Sequence, residues 1–233
     1  MEIEYAILML LALLISCQTN WSCPPNMVLL DGGNYSVGEI QPTESWHQPS
    51  KTVSLAPYCM DVYEFPNEKG KMPMGNVTWH EAKSLCNSKG KRLCTSAEWG
   101  RACRGHEKRT VSYGDGYDRN KCNTAINGSG PGVGQPAPIK PSGIFPSCKS
   151  PEGIYDLNGS LSEWVSDPWS DFPEPFNPNA KPDPKTWRTL RGGTMWSQTF
   201  YGQDCTSRHG HHAETWKNVD DGFRCCANAI AQP

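Results

Sequence analysis

Eleven cysteines in a chain of 233 residues constrain the fold more than any other feature. Cysteine at that density points to an oxidising compartment, where thiols pair and staple loops together. The remaining composition agrees. With 22 Gly, 20 Pro, 9 Trp and 36% hydrophobic residues, the chain reads as a loop-rich domain. Large aromatics then supply core area that regular elements do not. The length, less a leader, suits one large domain. Lys plus Arg number 22 against 24 Asp plus Glu, a net charge of −2. No basic stripe is present, so nucleic acid is not expected as a partner.

Ala6 to Ile15 is an unbroken apolar run of ten. It is too short to span a bilayer but fits a signal h-region. It ends in Leu14-Ile15-Ser16-Cys17. A small residue before a cysteine, after two aliphatics, resembles the bacterial lipoprotein signal, in which that cysteine is lipidated and becomes the new N-terminus. The expected division is a signal peptide over 1–16, a tether over 17–22 and one domain over 23–233. The protein would be lipid-anchored in a bacterial cell envelope, facing the periplasm or the exterior. With Cys17 lipidated, ten cysteines remain, an even number, as full pairing requires. The leader starts Met1-Glu2-Ile3-Glu4, without a basic residue, so ordinary signal cleavage is the alternative.

Local signals place few regular elements. Cys23 to Gly38 reads as two short strands around a glycine turn, and Tyr58 to Tyr63 as a strand. Thr78-Trp-His-Glu81 and Thr95-Ser-Ala-Glu98 are capping boxes, each opening a helix. Trp79, Ala82, Leu85 and Cys86 fall on one face of the first helix. Trp99, Ala102 and Cys103 fall on one face of the second. Gly90 and Gly105 end them. From Gly105 to Pro151 the chain reads as loop, which Cys122 and Cys148 could staple. Trp187 to Thr194 reads as a strand, followed by a polar loop holding His209, His211 and His212. Gly222 to Ala227 is a closing strand.

Gly153 to Asp167 combines burial with reversal. Ile154, Leu157, Leu161, Trp164 and Val165 call for a core, while Asn158-Gly159-Ser160 forces a tight turn. Asp156 and Glu163 flank that turn. Paired carboxylates with backbone carbonyls between them can wrap a hard cation such as calcium. A solvated turn with two surface acids is the alternative. Asp61 and Glu64 are a further acidic pair, suited to acid–base work or, more ordinarily, to salt bridges and caps. His209, His211, His212 and Glu214 could hold a transition metal, or the histidines could face solvent. Five Asn-X-Ser/Thr matches, at Asn20, Asn34, Asn76, Asn127 and Asn158, matter only in a eukaryotic secretory pathway.

Taken together the motifs resemble the formylglycine-generating enzyme, or sulfatase-modifying factor, family. The matching pieces run from Met27-Val-Leu-Leu30 through Tyr58 to Glu64, Pro73 to Trp79, Lys89 to Trp99, Ala102 to Gly105 and Tyr113-Gly114. They continue with Gly153 to Trp164, Arg191-Gly-Gly193 and Gly222 to Cys225. They stand in the family's order and span nearly the whole chain after Cys23. The resemblance implies an α+β fold of low regular structure, related to C-type lectin-like domains. It implies disulfides Cys86–Cys225 and Cys103–Cys205, to which loop logic adds Cys122–Cys148. Cys23, Cys59, Cys94 and Cys226 then allow three connectivities. It also implies calcium on the Asp156 and Glu163 side chains and the Gly159 and Leu161 carbonyls. A second family calcium site would start at Asn123, but its acidic partner is not recognisable.

The family's chemistry rests on two cysteines shortly after Arg-Gly-Gly, which bind copper as thiolates and oxidise a substrate cysteine to formylglycine. Here those positions fall at Trp196 or Ser197 and near Gly202. Copper is therefore not expected. The reading is an extracytoplasmic binding or structural module for a protein, peptide or glycan, with Trp169, Trp187, Trp196 and Tyr201 on its loop-rich face. The alternative is an oxygen-dependent oxidoreductase using a metal at the histidines.

Overall fold

Short-range polar signals set the two helices. The computed structural model describes residues 20–38, 50–124, 138–168, 187–194 and 204–232. Helix α1 covers Trp79–Ser88 and α2 covers Ser96–Arg104. Thr78 and Thr95 accept from the amides of Glu81 and Glu98, whose carboxylates accept in return from the cap amides. Gly105 closes α2 at φ +63°. Trp79, Ala82 and Cys86 form the buried face of α1.

The central sheet is antiparallel. Its order is β2 (Met27–Leu30), β5 (Tyr58–Asp61), β11 (Cys225–Asn228) and β6 (Arg92–Leu93). Successive strand residues face opposite sides, and β11 uses this. Cys225 bonds to Cys86 of α1 and packs with Phe65, Trp79, Trp164 and Phe223. Cys226 bonds to Cys94 and packs with Tyr58, Met60, Trp99 and Leu157. The sheet thus carries an apolar cluster on each face.

A second sheet joins β10 (Asp221–Gly222), β7 (Ser162–Pro168), β8 (Trp187–Arg191) and β9 (His209–Ala213) in that order. Only β10–β7 is parallel among its described pairs. The histidine segment is therefore a strand, not the polar loop expected from composition. Pairing with β8 extends it, and an edge strand tolerates polar residues that hide its pattern.

The two strands expected after Cys23 exist but do not pair with each other. β2 joins the central sheet, while β3 (Gly33–Val37) forms a ribbon with β4 (Lys51–Leu55). Gly32 permits the divergence: a Cβ there would lie 2.6 Å from the Pro57 ring. The end of the expected tether is also ordered. β1 (Trp21–Ser22) pairs with β12 (Ile230–Ala231), and the Gln232 amide donates to the Asn20 carbonyl at 2.7 Å. A two-residue pairing leaves no periodic signal in sequence. The leader and Cys17 lie outside the described residues.

Five disulfides are present: Cys23–Cys59, Cys86–Cys225, Cys94–Cys226, Cys103–Cys205 and Cys122–Cys148. Every cysteine except Cys17 is used. Three bridges span 102 to 139 residues. In the chain-entropy account each such closure contributes about 4–5 kcal/mol, which offsets the small share of regular structure. The fold is α+β, disulfide-rich and dominated by short strands and loops.

Candidate functional site

The turn after Gly153 is built from the core outward. Ile154, Leu157, Leu161, Trp164 and Val165 are all buried. Between them the backbone reverses through Asp156 (φ +59°), Gly159 (φ +76°) and Ser160 (φ +59°). A Cβ on Gly159 would meet the Asn123 carbonyl oxygen at 2.5 Å, so only glycine fits. That same carbonyl accepts from the Ser160 amide at 2.8 Å, and the Gly192 carbonyl accepts from the Gly159 amide at 3.0 Å. The Asn158 side chain accepts from the Ser112 amide at 2.8 Å and is buried, so it offers no glycosylation site.

Three carboxylates converge behind the turn. Asp156 Oδ2 accepts from the Gly143 amide at 2.7 Å. Burial, reinforced by Glu163, pushes its carboxyl up to about 6. Glu163 is gripped by Arg224, Nη2 at 2.6 Å and Nε at 2.7 Å, and by Trp99 Nε1 at 2.9 Å. Burial opposes the charge of Arg224, yet Glu163 holds its guanidinium above its ordinary value. The third acid, Glu64, was not placed here by sequence reasoning. It follows β5 and accepts from the Leu161 amide at 3.2 Å and the Ser160 and Ser142 hydroxyls at 3.3 Å. Burial, then the charges of Asp156 and Glu163, push it well up. A fully polar Glu64 among turn residues was its one sequence signal, and its partners lie 78 to 97 residues away.

Asp61 does not work with Glu64. It meets Lys91 at 2.5 Å, Asn67 at 3.0 Å and the Cys225 amide at 3.2 Å, as an ordinary buried ion pair. Among the described residues, Glu64, Asp156 and Glu163 all face the Arg224 guanidinium. Any cation drawing on Glu163 must share it with Arg224. Asn123 contributes its carbonyl to the turn and donates from its amide group to the Pro138 carbonyl at 3.1 Å.

The second region lies at β8 and β9. Arg191 is buried and donates to the Cys205 carbonyl at 2.6 Å; burial lowers its guanidinium to about 10. Cys205 itself is bonded to Cys103. Trp196, Ser197, Tyr201 and Gly202 lie outside the described residues, as does Trp169. Trp187 is half-buried at the start of β8. His209 and His211 occupy β9 opposite Leu190 and Thr189; their side chains lie outside the described residues. The His212 ring stacks on Trp216 at 4.9 Å. Among the described residues no three or more His, Cys, Asp or Glu side chains gather as a metal site. The structure thus joins Asp156 and Glu163 in one cluster and leaves His212 in an aromatic stack.

The geometry can be set beside known proteins. The family model for the sulfatase-modifying factor enzyme 1-like domain matches residues 66–229. The serine/threonine-protein kinase Pkn1 of Chlamydia trachomatis is 33% identical over 162 residues, 66% of this chain and 24% of that protein. Inactive C-alpha-formylglycine-generating enzyme 2 of Bos taurus is 29% identical over 177 residues, 71% of this chain and 54% of that protein. The chain therefore spans about a quarter to a half of these curated relatives. Treponema denticola variable protein 1 has the same fold, with TM-score 0.66 at 18% identity, covering 91% of this chain and 100% of that one. On the family match, which takes in both capping boxes, the turn and the closing strand, the chain belongs to the sulfatase-modifying factor enzyme 1-like domain family.

Proposed function

We propose that this protein is a non-catalytic member of its family, a calcium-braced binding module held at a bacterial envelope through lipid on Cys17. One observation carries the reading: the state of the thiols. The family's copper chemistry, as the resemblance has it, needs two thiolates after Arg191-Gly192-Gly193. This chain has Trp196, Ser197 and Gly202 there, and Cys205 is committed to Cys103. Every other cysteine except Cys17 is also in a disulfide. A relative whose own name includes "inactive" is consistent with that loss. Five bridges suit an extracytoplasmic setting.

Calcium at Asp156, Glu163 and the Gly159 and Leu161 carbonyls would offset the buried charge excess and hold the turn. The binding role draws on exposed side chains. Met72, Met74, Trp216 and Val219 are half exposed on two segments that the Asn76 amide and the Asn218 carbonyl join at 2.9 Å. Methionine and tryptophan adapt to apolar ligand surfaces, which suits a protein, peptide or glycan ligand. The rival is an oxidoreductase with a transition metal at His209, His211 and His212.

Elemental analysis of the protein purified from membranes separates the two. The expected result is about one calcium per chain and no stoichiometric copper or iron. Bound copper or iron, lost when the three histidines are changed to alanine, overturns the module reading.

A further inference from the structure

The groove beside the chain's entry point offers a second contact surface. Trp21, Leu29, Leu55 and Pro57 line an open groove of about 440 Å³, with Asp31 at its side. Trp21 and Leu29 are each 37% exposed. The chain is fixed where it enters this face. Asn20 accepts from the Gln232 amide, β1 pairs with β12, and Cys23 is bonded to Cys59. The described residues begin at Asn20, three positions after Cys17. Three extended residues reach at most about 10 Å.

We infer that this groove rests on the lipid bilayer, with Trp21 and Leu29 seated at the headgroup boundary. The inference rests on the lipidation of Cys17 proposed above. A long linker would let the domain turn freely over the membrane. Here the linker is a few residues and joins a strand locked by a disulfide, so one face is presented to the surface. The side chains on that face suit the position. Tryptophan combines an apolar ring with an N–H and favours the membrane–water interface. Leu29, Leu55 and Pro57 add apolar area, and Asp31 is placed to stay in water beside them.

Fluorescence quenching tests the contact. The full chain is reconstituted in phosphatidylethanolamine–phosphatidylglycerol vesicles carrying a headgroup nitroxide, and intact mass reports acylation and disulfides. The expected result is an acylated Cys17 and tryptophan quenching that falls by about half or more in Trp21→Phe. Trp216→Phe leaves it unchanged, and Leu29→Ser weakens it. All variants keep five disulfides. A chain without acyl mass on Cys17 overturns the lipid anchor and the docking together. An acylated chain with no quenching, or with quenching that survives Trp21→Phe, overturns docking alone. Loss of quenching in Trp216→Phe assigns the contact to the other candidate surface and also overturns it.

Discussion

Two arginine–carboxylate contacts in this molecule use the same groups at different depths. Arg224 meets Glu163 at 2.6 Å, with both side chains 1% exposed. Arg188 meets Glu214 at 3.0 Å, with 18% and 23% exposure, and His80 approaches the other Glu214 oxygen at 3.1 Å. The first pair sits behind the turn and is surrounded by Trp99, Asp156 and Glu64. The second fastens β9's end to β8 and stacks over the Trp79 ring at 4.3 Å. Distance hardly separates them; solvent does. A buried charge that loses its partner has no water to turn to, whereas a surface charge does.

The largest effect is expected at the buried pair. Arg224→Met should cost about 3–5 kcal/mol, because it strands Glu163 beside two further acids. Denaturant unfolding measures it. Combining it with Glu163→Leu should recover part of the loss; a double variant as unstable as the sum of its parts would show that the pair is not coupled. Gly159→Ala comes next, at about 2–4 kcal/mol, since its Cβ drives into the Asn123 carbonyl at a left-handed φ. The same variant should weaken any calcium-induced rise in melting temperature.

Asp221 links the two regions, on β10 beside β7 and hydrogen-bonded by Trp216 at 3.1 Å. Burial, then the charge of Asp220, pushes its carboxyl up to about 7. The folded state therefore holds this proton more tightly than the unfolded chain does. Its stabilising contribution is full below about pH 4 and is lost as pH rises through about 7. Asp221→Asn should flatten that slope in melts across this range; an unchanged slope would assign it to other groups. The smallest effect belongs to the half-buried pair. Arg188→Ala should change stability by no more than about 1 kcal/mol, much of it from the Trp79 stack. A loss comparable to that of Arg224→Met would erase the distinction between the two contacts.

The parts legible in sequence were those whose causes are local. Both capping boxes lie within four residues, and both helices start where Thr78 and Thr95 place them. The turn at Asn158-Gly159-Ser160 and the burial of its flanking apolar residues were equally readable. Arg224 was visible only as part of a motif, because its partner Glu163 is 61 residues away. Glu64 was not placed at the turn for the same reason, since its hydrogen bonds reach Ser160 and Leu161. The pairing of Cys94 with Cys226 follows from strand alternation at Cys225-Cys226, a signal that becomes usable once β11 is known to have a core on both faces. The histidine strand stayed hidden because an edge position does not require an alternating pattern. Family likeness carried the rest, including Cys86–Cys225 and Cys103–Cys205.

The pairing of β1 with β12 has one more consequence. Because residues 20 and 232 meet, a polypeptide can run into this fold and out again at a single point on its surface. A unit with that property behaves as a cassette: it can be spliced into or appended to a larger protein without pulling its neighbours apart. Its matches to segments of longer proteins, 24% of one and 54% of another, are what such portability produces.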